Sequence, residues 1–368
     1  MKRLTAFLLS VCMVISLLTT FGYATEVVAS GACGDNLTWT LDSEGTLTIN
    51  GTGEMKDFDL NMSPWAEQAE TVTSVVINEG ATSIGRYAFG NCKNLTRAII
   101  PESVTRFETG VFDGCSSLNN ITIPKNVTRI GELSFSDCTA LTNITLPESV
   151  EYIGDGAFYG CTSLTDIQLP NAICNVERSV FQGCKSLKKI SLPDNVTYIG
   201  RRAFSGCTQL SEIVLPKRLE TIQNYAFSET GLSSLYIPAT VTFLSASAFT
   251  SCSALSSLYF HGDVPLNVVD ENDRPWGELQ NLTIYYHEDR KGWSSPTWKG
   301  YQAKTWSDDG ECAGGQFVQS GFYDGHLSWT LDAEGTLVIT GYGVVDAGGS
   351  AWWQYRDSVR KIVFGEGI

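Results

Sequence analysis

Cysteine recurs with a regular spacing in this sequence, and a thiol can be a metal ligand, a disulfide partner or a nucleophile. If sequence repeats stack on one another, side chains at equivalent positions of the repeats point in the same direction. They neither converge tetrahedrally on a metal nor suit the dihedral angle of a disulfide. We therefore predict that these cysteines are buried as small apolar side chains. At steps of 23 residues except the last, they are Cys92, Cys115, Cys138, Cys161, Cys184, Cys207 and Cys252.

Three further cysteines, Cys33, Cys174 and Cys312, lie outside this spacing. The sequence leaves their redox state open, including a disulfide that involves Cys33 or Cys312.

The three histidines give no catalytic pattern, because His261, His287 and His326 fall in separate segments with no serine or cysteine motif around them. No nucleophile elbow, zinc-protease motif or phosphate-binding loop occurs. We interpret the histidines as ordinary surface residues.

Paired carboxylates could support glycoside hydrolysis, but such enzymes hold two carboxylates on rigid elements at a defined separation. The pairs in this sequence lie in predicted loops, at Asp57/Asp59, Asp270/Glu271/Asp273 and Asp308/Asp309. We predict a non-enzymatic protein with no catalytic residue, no metal and no cofactor.

Phenylalanine follows the same period as cysteine, and this period identifies the elements that position both. The repeated residues are Phe89, Phe112, Phe135, Phe158, Phe181, Phe204, Phe227 and Phe249. Within a unit, Leu141, Ile144 and Leu146 precede Pro147, and this alternation predicts a short strand that the proline ends. A single unit cannot bury these residues alone, so the units must stack as a solenoid.

This pattern resembles the BspA-type leucine-rich repeat family, over residues 72 to about 306. The resemblance implies a β-rich leucine-rich repeat solenoid of about ten coils, in a bacterial protein that is secreted or displayed on the cell surface. It also implies adhesion to host or neighbouring cells. The segment from Tyr285 to Trp306 looks like the aromatic cap that closes such arrays.

The domain organisation follows from the repeat and its flanks. We predict a signal peptide (1–24), a β-hairpin capping module (25–71), the solenoid (72–287), a C-terminal cap (288–310) and a second capping module (311–368). The signal peptide is predicted from Lys2 and Arg3 ahead of an apolar stretch over residues 4–18. Residues 327–343 match 37–53 closely, so the last domain would begin a further array that the sequence does not complete.

Composition restricts the partners. The 43% hydrophobic and 18% charged residues are typical of a folded chain, and its formal charge of −15 disfavours nucleic acid and anionic lipid. No segment after the leader is apolar over about 18 residues, so we predict no membrane span after its removal. The oligomeric state stays open.

The outward faces of the strands are the candidate binding surface. The residue between the last two inward aliphatics is Val214, Tyr236 and Tyr259 in three successive units, and the same column is predicted to contain Gln168 and Thr283. An aliphatic and aromatic cluster on a surface suits recognition of a protein or glycan. The alternative is that these side chains only pack on one another across adjacent strands.

Two further hypotheses differ from a binding module. The array could be a targeting or spacer module of a larger secreted enzyme whose catalytic domain is absent from this sequence. It could also be a purely structural spacer that binds nothing tightly.

Overall fold

The computed structural model describes residues 25–266, 268, 275–277 and 279–306, together with four strand segments between residues 317 and 364. Several predictions concern residues outside this part of the chain. They are the signal peptide (1–24), Cys312, His326 and the carboxylates at Asp270/Glu271/Asp273 and Asp308/Asp309.

The described residues form short strands and one 3-10 helix, Ala66–Thr71. In chain order the strands are β1 (Val27–Ala32), β2 (Leu37–Asp42), β3 (Thr46–Gly51), β4 (Gly53–Glu54), β5 (Ser74–Ile77), β6 (Ala81–Ile84), β7 (Arg97–Ile99), β8 (Arg106–Phe107), β9 (Asn120–Ile121), β10 (Arg129–Ile130), β11 (Tyr152–Ile153), β12 (Asn175–Val176), β13 (Lys189–Ser191), β14 (Tyr198–Ile199), β15 (Glu212–Val214), β16 (Thr221–Ile222), β17 (Ser234–Ile237), β18 (Phe243–Leu244), β19 (Ser257–Phe260), β20 (Thr283–Tyr286), β21 (Thr297–Trp298), β22 (Tyr301–Thr305), β23 (Phe317–Tyr323), β24 (Leu327–Asp332), β25 (Thr336–Gly341) and β26 (Lys361–Phe364).

The predicted solenoid of about ten coils is confirmed. Most of the predicted strands pair in parallel with their equivalents one coil away, as Val75 does with Ala98 and Ile190 with Ile213. We call the outward surface of these strands the strand face. Its strands are β5, β7, β9, β13, β15, β17, β19 and β20. In the middle of the array the pairing is reduced to isolated bridges, such as Gln168 with Ser191.

Each coil also contains a second, shorter parallel strand that the sequence analysis did not predict. These strands form one sheet in the order β11-β10-β8-β6-β4 and another in the order β12-β14-β16-β18. Arg129 and Ile130, for example, pair with Tyr152 and Ile153. The coils are therefore held together by backbone hydrogen bonds on two sides.

The phenylalanines stack as one continuous column through the coils, and all eight are fully buried. Successive ring centroids lie 5.5–5.9 Å apart, with interplanar angles of 4–20°. Trp65 stacks on Phe89 at one end, at 5.6 Å, and Trp276 contacts Phe249 edge-on at the other, at 5.8 Å. A tryptophan thus covers each end of the column.

The seven regularly spaced cysteines are buried free thiols beside this column. Six of them donate a hydrogen bond to the carbonyl oxygen of the phenylalanine one coil earlier, as Cys161 Sγ does to Phe135 O at 3.1 Å. Burial raises the pKa of Cys92 and Cys207 to about 12. Thr230 replaces cysteine in one coil, and its hydroxyl donates to Phe227 O at 2.9 Å.

The other two described cysteines are also free thiols. Cys33 is buried, which raises its pKa to about 11, and Cys174 is exposed.

The N-terminal hairpin continues the sheet of the strand face. Strands β2 and β3 are antiparallel, and β3 pairs in parallel with β5. Asp42 shapes the turn between β2 and β3, because its carboxylate accepts hydrogen bonds from the backbone N–H groups of Glu44 and Thr46. These hydrogen bonds also contribute to lowering the pKa of Asp42.

Near the end of the chain, strands β23 to β26 repeat the pairing of β1, β2, β3 and β5. Strand β24 pairs antiparallel with β25, from Leu327 with Gly341 to Leu331 with Leu337, as β2 does with β3. Strand β26 then pairs in parallel with β25.

One predicted strand has the wrong register. The sequence pattern placed Leu282 and Ile284 as the inward residues of the last strand, but Ile284 pairs with Leu258 and Tyr286 with Phe260. The prediction is therefore shifted by two residues. Thr283 pairs with Ser257 and not with Tyr259.

Candidate functional site on the strand face

Strand register brings three tyrosines together at the C-terminal end of the strand face. Tyr236 pairs with Tyr259, and Tyr259 with Tyr285. Both pairs of ring centroids are 4.5 Å apart, with interplanar angles of 13° and 10°. All three side chains are half-buried. We call Tyr236, Tyr259 and Tyr285 the tyrosine column.

The candidate binding residues divide into two sets. Val214 lies on β15, which contacts β17, and the sequence repeat aligns it with Tyr236 one coil later. Its side chain is also half-buried. Gln168 is exposed and lies two coils before Val214, through its bridge to Ser191. Thr283 belongs to the adjacent column, with Ser257.

Tyr285 is the residue that the sequence analysis missed at this position. Because the predicted strand is two residues out of register, the sequence pattern places Thr283 in the column and leaves Tyr285 to the aromatic segment that follows. The position after Tyr285 in this column is Lys304 on β22, which pairs with Tyr285.

A second aromatic group packs beside the tyrosine column. The Trp306 ring centroid is 5.5 Å from that of Tyr259, and 4.7 Å from those of both His261 and His287. Its backbone N–H donates to the carbonyl of Tyr286 at 2.8 Å. Trp306 is buried, whereas both histidines are half-buried. This contact holds the C-terminal segment against the strands.

The structure also changes the interpretation of the histidines. His261 and His287 come from separate segments, but their ring centroids are 5.4 Å apart. Both contact Trp306, so they are part of an aromatic cluster and not isolated surface residues. Within the described ranges, no group of three His, Cys, Asp or Glu side chains is arranged to hold a metal ion.

A groove of about 300 Å³ opens where the column changes from tyrosine to valine. Its walls include Val214, Leu215, Tyr236 and Pro238, together with the side chains of Lys217 and His261. It therefore contains two of the predicted binding residues. We call it the Val214 groove.

A larger cavity, of about 550 Å³, lies elsewhere, at the junction of the hairpin and the first coils. Arg106 crosses it and contacts the carboxylates of Glu54 and Glu108, both at 2.7 Å. Hydrogen bonds to these carboxylates raise the pKa of Arg106. The guanidinium of Arg106 on β8 thus connects Glu54 on β4 with Glu108, which follows β8. This cluster therefore links the hairpin to the solenoid.

No helix in the described part of the chain is long and apolar enough to cross a membrane. A search of curated proteins gave no match.

Comparison with known structures gives the same fold. A leucine-rich repeat protein from Bacteroides ovatus is 25% identical, with a TM-score of 0.54 over 74% of this chain and 76% of that one. A leucine-rich repeat protein from Eubacterium ventriosum is 23% identical, with a TM-score of 0.46 over 71% of this chain and 79% of that one.

The family comparison agrees with the fold. The model of the BspA type leucine rich repeat region matches six copies, over residues 67–188 and 134–256, which together span more than half of the sequence. The chain therefore belongs to the BspA-type leucine-rich repeat family.

Proposed function

We propose that this protein is a non-catalytic binding scaffold, secreted or displayed on the bacterial surface, whose strand face binds an extracellular protein or glycan. The biological outcome would be adhesion to host or neighbouring cells. Membership of a family of repeat scaffolds supports a binding role in general. The sequence features of residues 1–24 support secretion.

The observation that carries the proposal is the tyrosine column beside the Val214 groove. Three half-exposed tyrosines stacked at 4.5 Å form a rigid surface, since each ring is held by its neighbour. Tyrosine loses little side-chain entropy on binding and presents both apolar area and a hydroxyl group. Such residues are enriched among those that dominate binding energy.

Most of the thiols and two of the histidines of the coils are engaged in packing, which favours binding over catalysis. Six thiols donate to backbone carbonyls within the core. His261 and His287 contact Trp306.

The test is binding of the chain from residue 25 onward to an array of extracellular-matrix proteins and glycans. The double variant Tyr236→Ala/Tyr259→Ala removes two of the three rings of the tyrosine column. Tyr152→Ala/Tyr198→Ala is the matched control. Both residues are half-buried, but they lie on β11 and β14, which belong to the second set of strands and not to the strand face. Circular dichroism and the thermal midpoint confirm that each variant is folded.

Specific binding that is lost in Tyr236→Ala/Tyr259→Ala and kept in the control would support the proposal. Equal binding by all three proteins would move the site away from the tyrosine column. Absence of binding to every array component would favour the spacer hypothesis.

A further inference from the structure

The Val214 groove has a shape set by the repeat. Equivalent positions recur in every coil. In the tyrosine column, from Tyr285 to Tyr236, neighbouring ring centroids are 4.5 Å apart. The next position is Val214, whose side chain is much smaller than a tyrosine. The groove, of about 300 Å³, lies at this change of size. A planar ring placed over Val214 would extend the column by one step.

The polar groups of the groove are few. The Thr240 hydroxyl lies 2.8 and 2.7 Å from the backbone carbonyl oxygens of Lys217 and Leu219. It donates its proton to these carbonyls and not to a ligand. The Tyr236 hydroxyl and the side chains of Lys217 and His261 are then the other polar side-chain groups that line the groove. A sugar ring carries several hydroxyl groups and needs more partners than these, whereas an aromatic side chain does not.

The two coils on the Val214 side of the groove differ in charge from the whole chain. Residues 181–226, which form the two coils on the Val214 side, contain seven Lys or Arg and three Asp or Glu, a net charge of +4. The formal charge of the chain is −15. Lys217 lies at the groove and Arg218 follows it, and both are exposed. The nearby carboxylates in sequence are those of Asp194, Glu212 and Glu220.

The geometry points to the Val214 groove as the pocket for an aromatic side chain of a protein partner, with acidic residues flanking that aromatic in the partner's sequence. The ring stacks on Tyr236 above Val214, and the acidic residues meet Lys217 and Arg218. Aromatic anchors in apolar pockets with a charged rim are a common arrangement in protein interfaces. This inference rests on the proposed binding function and specifies its partner.

The first probe is a fluorescein-labelled peptide, Gly-Ser-Glu-Glu-Tyr-Glu-Glu-Ser-Gly, measured by fluorescence anisotropy with the chain from residue 25 onward. Two control peptides replace its tyrosine by alanine or all of its glutamates by lysine. We expect each control to bind at least about tenfold more weakly than the acidic tyrosine peptide. Equal binding of the tyrosine and alanine peptides would overturn the inference.

Variants of the protein locate the site. Val214→Tyr fills the groove with the residue type that the next three coils already carry, so the fold should tolerate it, and peptide binding should fall at least about tenfold. Lys217→Gln should weaken binding and reduce its dependence on salt. Lys304→Gln is the matched control, since it removes a lysine at the other end of the same column and should leave binding unchanged.

The array separates this inference from the proposed function. If an array component binds through Tyr236 and Tyr259 but Val214→Tyr leaves that binding unchanged, the strand face is a binding surface and the groove inference is wrong. If Val214→Tyr abolishes binding only of a glycan, the occupant is a sugar and the inference is again wrong. Loss of binding to both the peptide and an array protein in Val214→Tyr would support both proposals.

Discussion

Two aromatic columns run along this solenoid, and they differ in what surrounds them. The phenylalanine column is fully buried and extends through eight coils between Trp65 and Trp276. The tyrosine column is half-buried and covers three strands at one end of the strand face. One column stabilises every coil, whereas the other gives a single region of the strand face its aromatic character.

The spacing of the two columns also differs within the same pair of coils. Tyr236 and Tyr259 are 4.5 Å apart, whereas Phe227 and Phe249 of the same two coils are 5.9 Å apart. The rings of the tyrosine column are therefore spaced near the usual separation of parallel strands, whereas those of the phenylalanine column are wider apart.

Chemical labelling gives the largest expected difference between buried and exposed positions. Among the nine described cysteines, Cys174 is exposed and the seven beside the phenylalanine column are fully buried. Burial raises the pKa of Cys207 to about 12, so at pH 8 its thiolate is scarce as well as inaccessible. We expect iodoacetamide to modify Cys174 within minutes and the seven buried thiols only after denaturation, as read by peptide mass spectrometry. Rapid labelling of Cys161 in the native protein would contradict the packing.

Loss of one buried ring is the next largest effect. Phe158→Ala removes a ring that stacks on Phe135 and Phe181 at 5.5 and 5.7 Å, and it leaves a cavity in the core. We expect a decrease of about 3–5 kcal/mol in the free energy of unfolding. Urea denaturation measures it. The adjacent Tyr159→Ala is the control, because Tyr159 is 38% exposed and should change stability by less than about 0.5 kcal/mol.

The position of this buried column could be predicted from sequence alone. Inside a coil, the room beside Phe158 and Cys161 is fixed by the coils on either side, so the same residue types recur at the same spacing. The residue before each of these cysteines has a left-handed backbone conformation in every coil, and its residue type is restricted for the same reason. Gly160 has a φ of 69°, and the equivalent positions include Asn91 and Asp137, residue types that tolerate this conformation.

Substitution in the tyrosine column should have a smaller effect on folding than in the phenylalanine column. Tyr259→Ala removes two stacking contacts at a half-exposed position, and each such contact contributes roughly 0.5–1.5 kcal/mol. We expect a loss of about 1–2 kcal/mol in the same urea assay, with Tyr259→Phe close to wild type. A loss as large as that of Phe158→Ala would show that the tyrosine column is primarily structural, and would weaken the proposed binding role.

The extent of the tyrosine column could not be predicted, for two physical reasons. A slip of two residues along a strand keeps the same faces inward and outward, so the alternation of Leu282, Ile284 and Tyr286 is compatible with either register. Backbone pairing with β19 selects the register that brings Tyr285 beside Tyr259. The contact of Trp306 with the strands follows no repeat, so the spacing of the sequence carries no signal for it.

The smallest effect concerns a carboxyl group at the edge of the phenylalanine column. Asp113 follows Phe112, and burial, together with the charge of Asp137 in the next coil, raises its pKa, although a hydrogen bond with Ser136 opposes the shift. A raised pKa in the folded state means that ionisation of Asp113 opposes folding. Its favourable contribution is complete below the unfolded pKa of about 3.9 and is lost as the pH rises through the folded value.

Asp113→Asn should therefore raise the thermal midpoint at pH 7, and the gain should shrink as the pH falls towards 4. Differential scanning fluorimetry across this range measures it, with Asp59→Asn at an exposed carboxylate as the control. A gain that is the same at pH 4 and pH 7 would mean that Asp113 acts through packing and not through its charge. The boundary of the buried column would then be set by shape alone, whereas a pH-dependent gain would show that burial extends from Phe112 to the polar residue beside it.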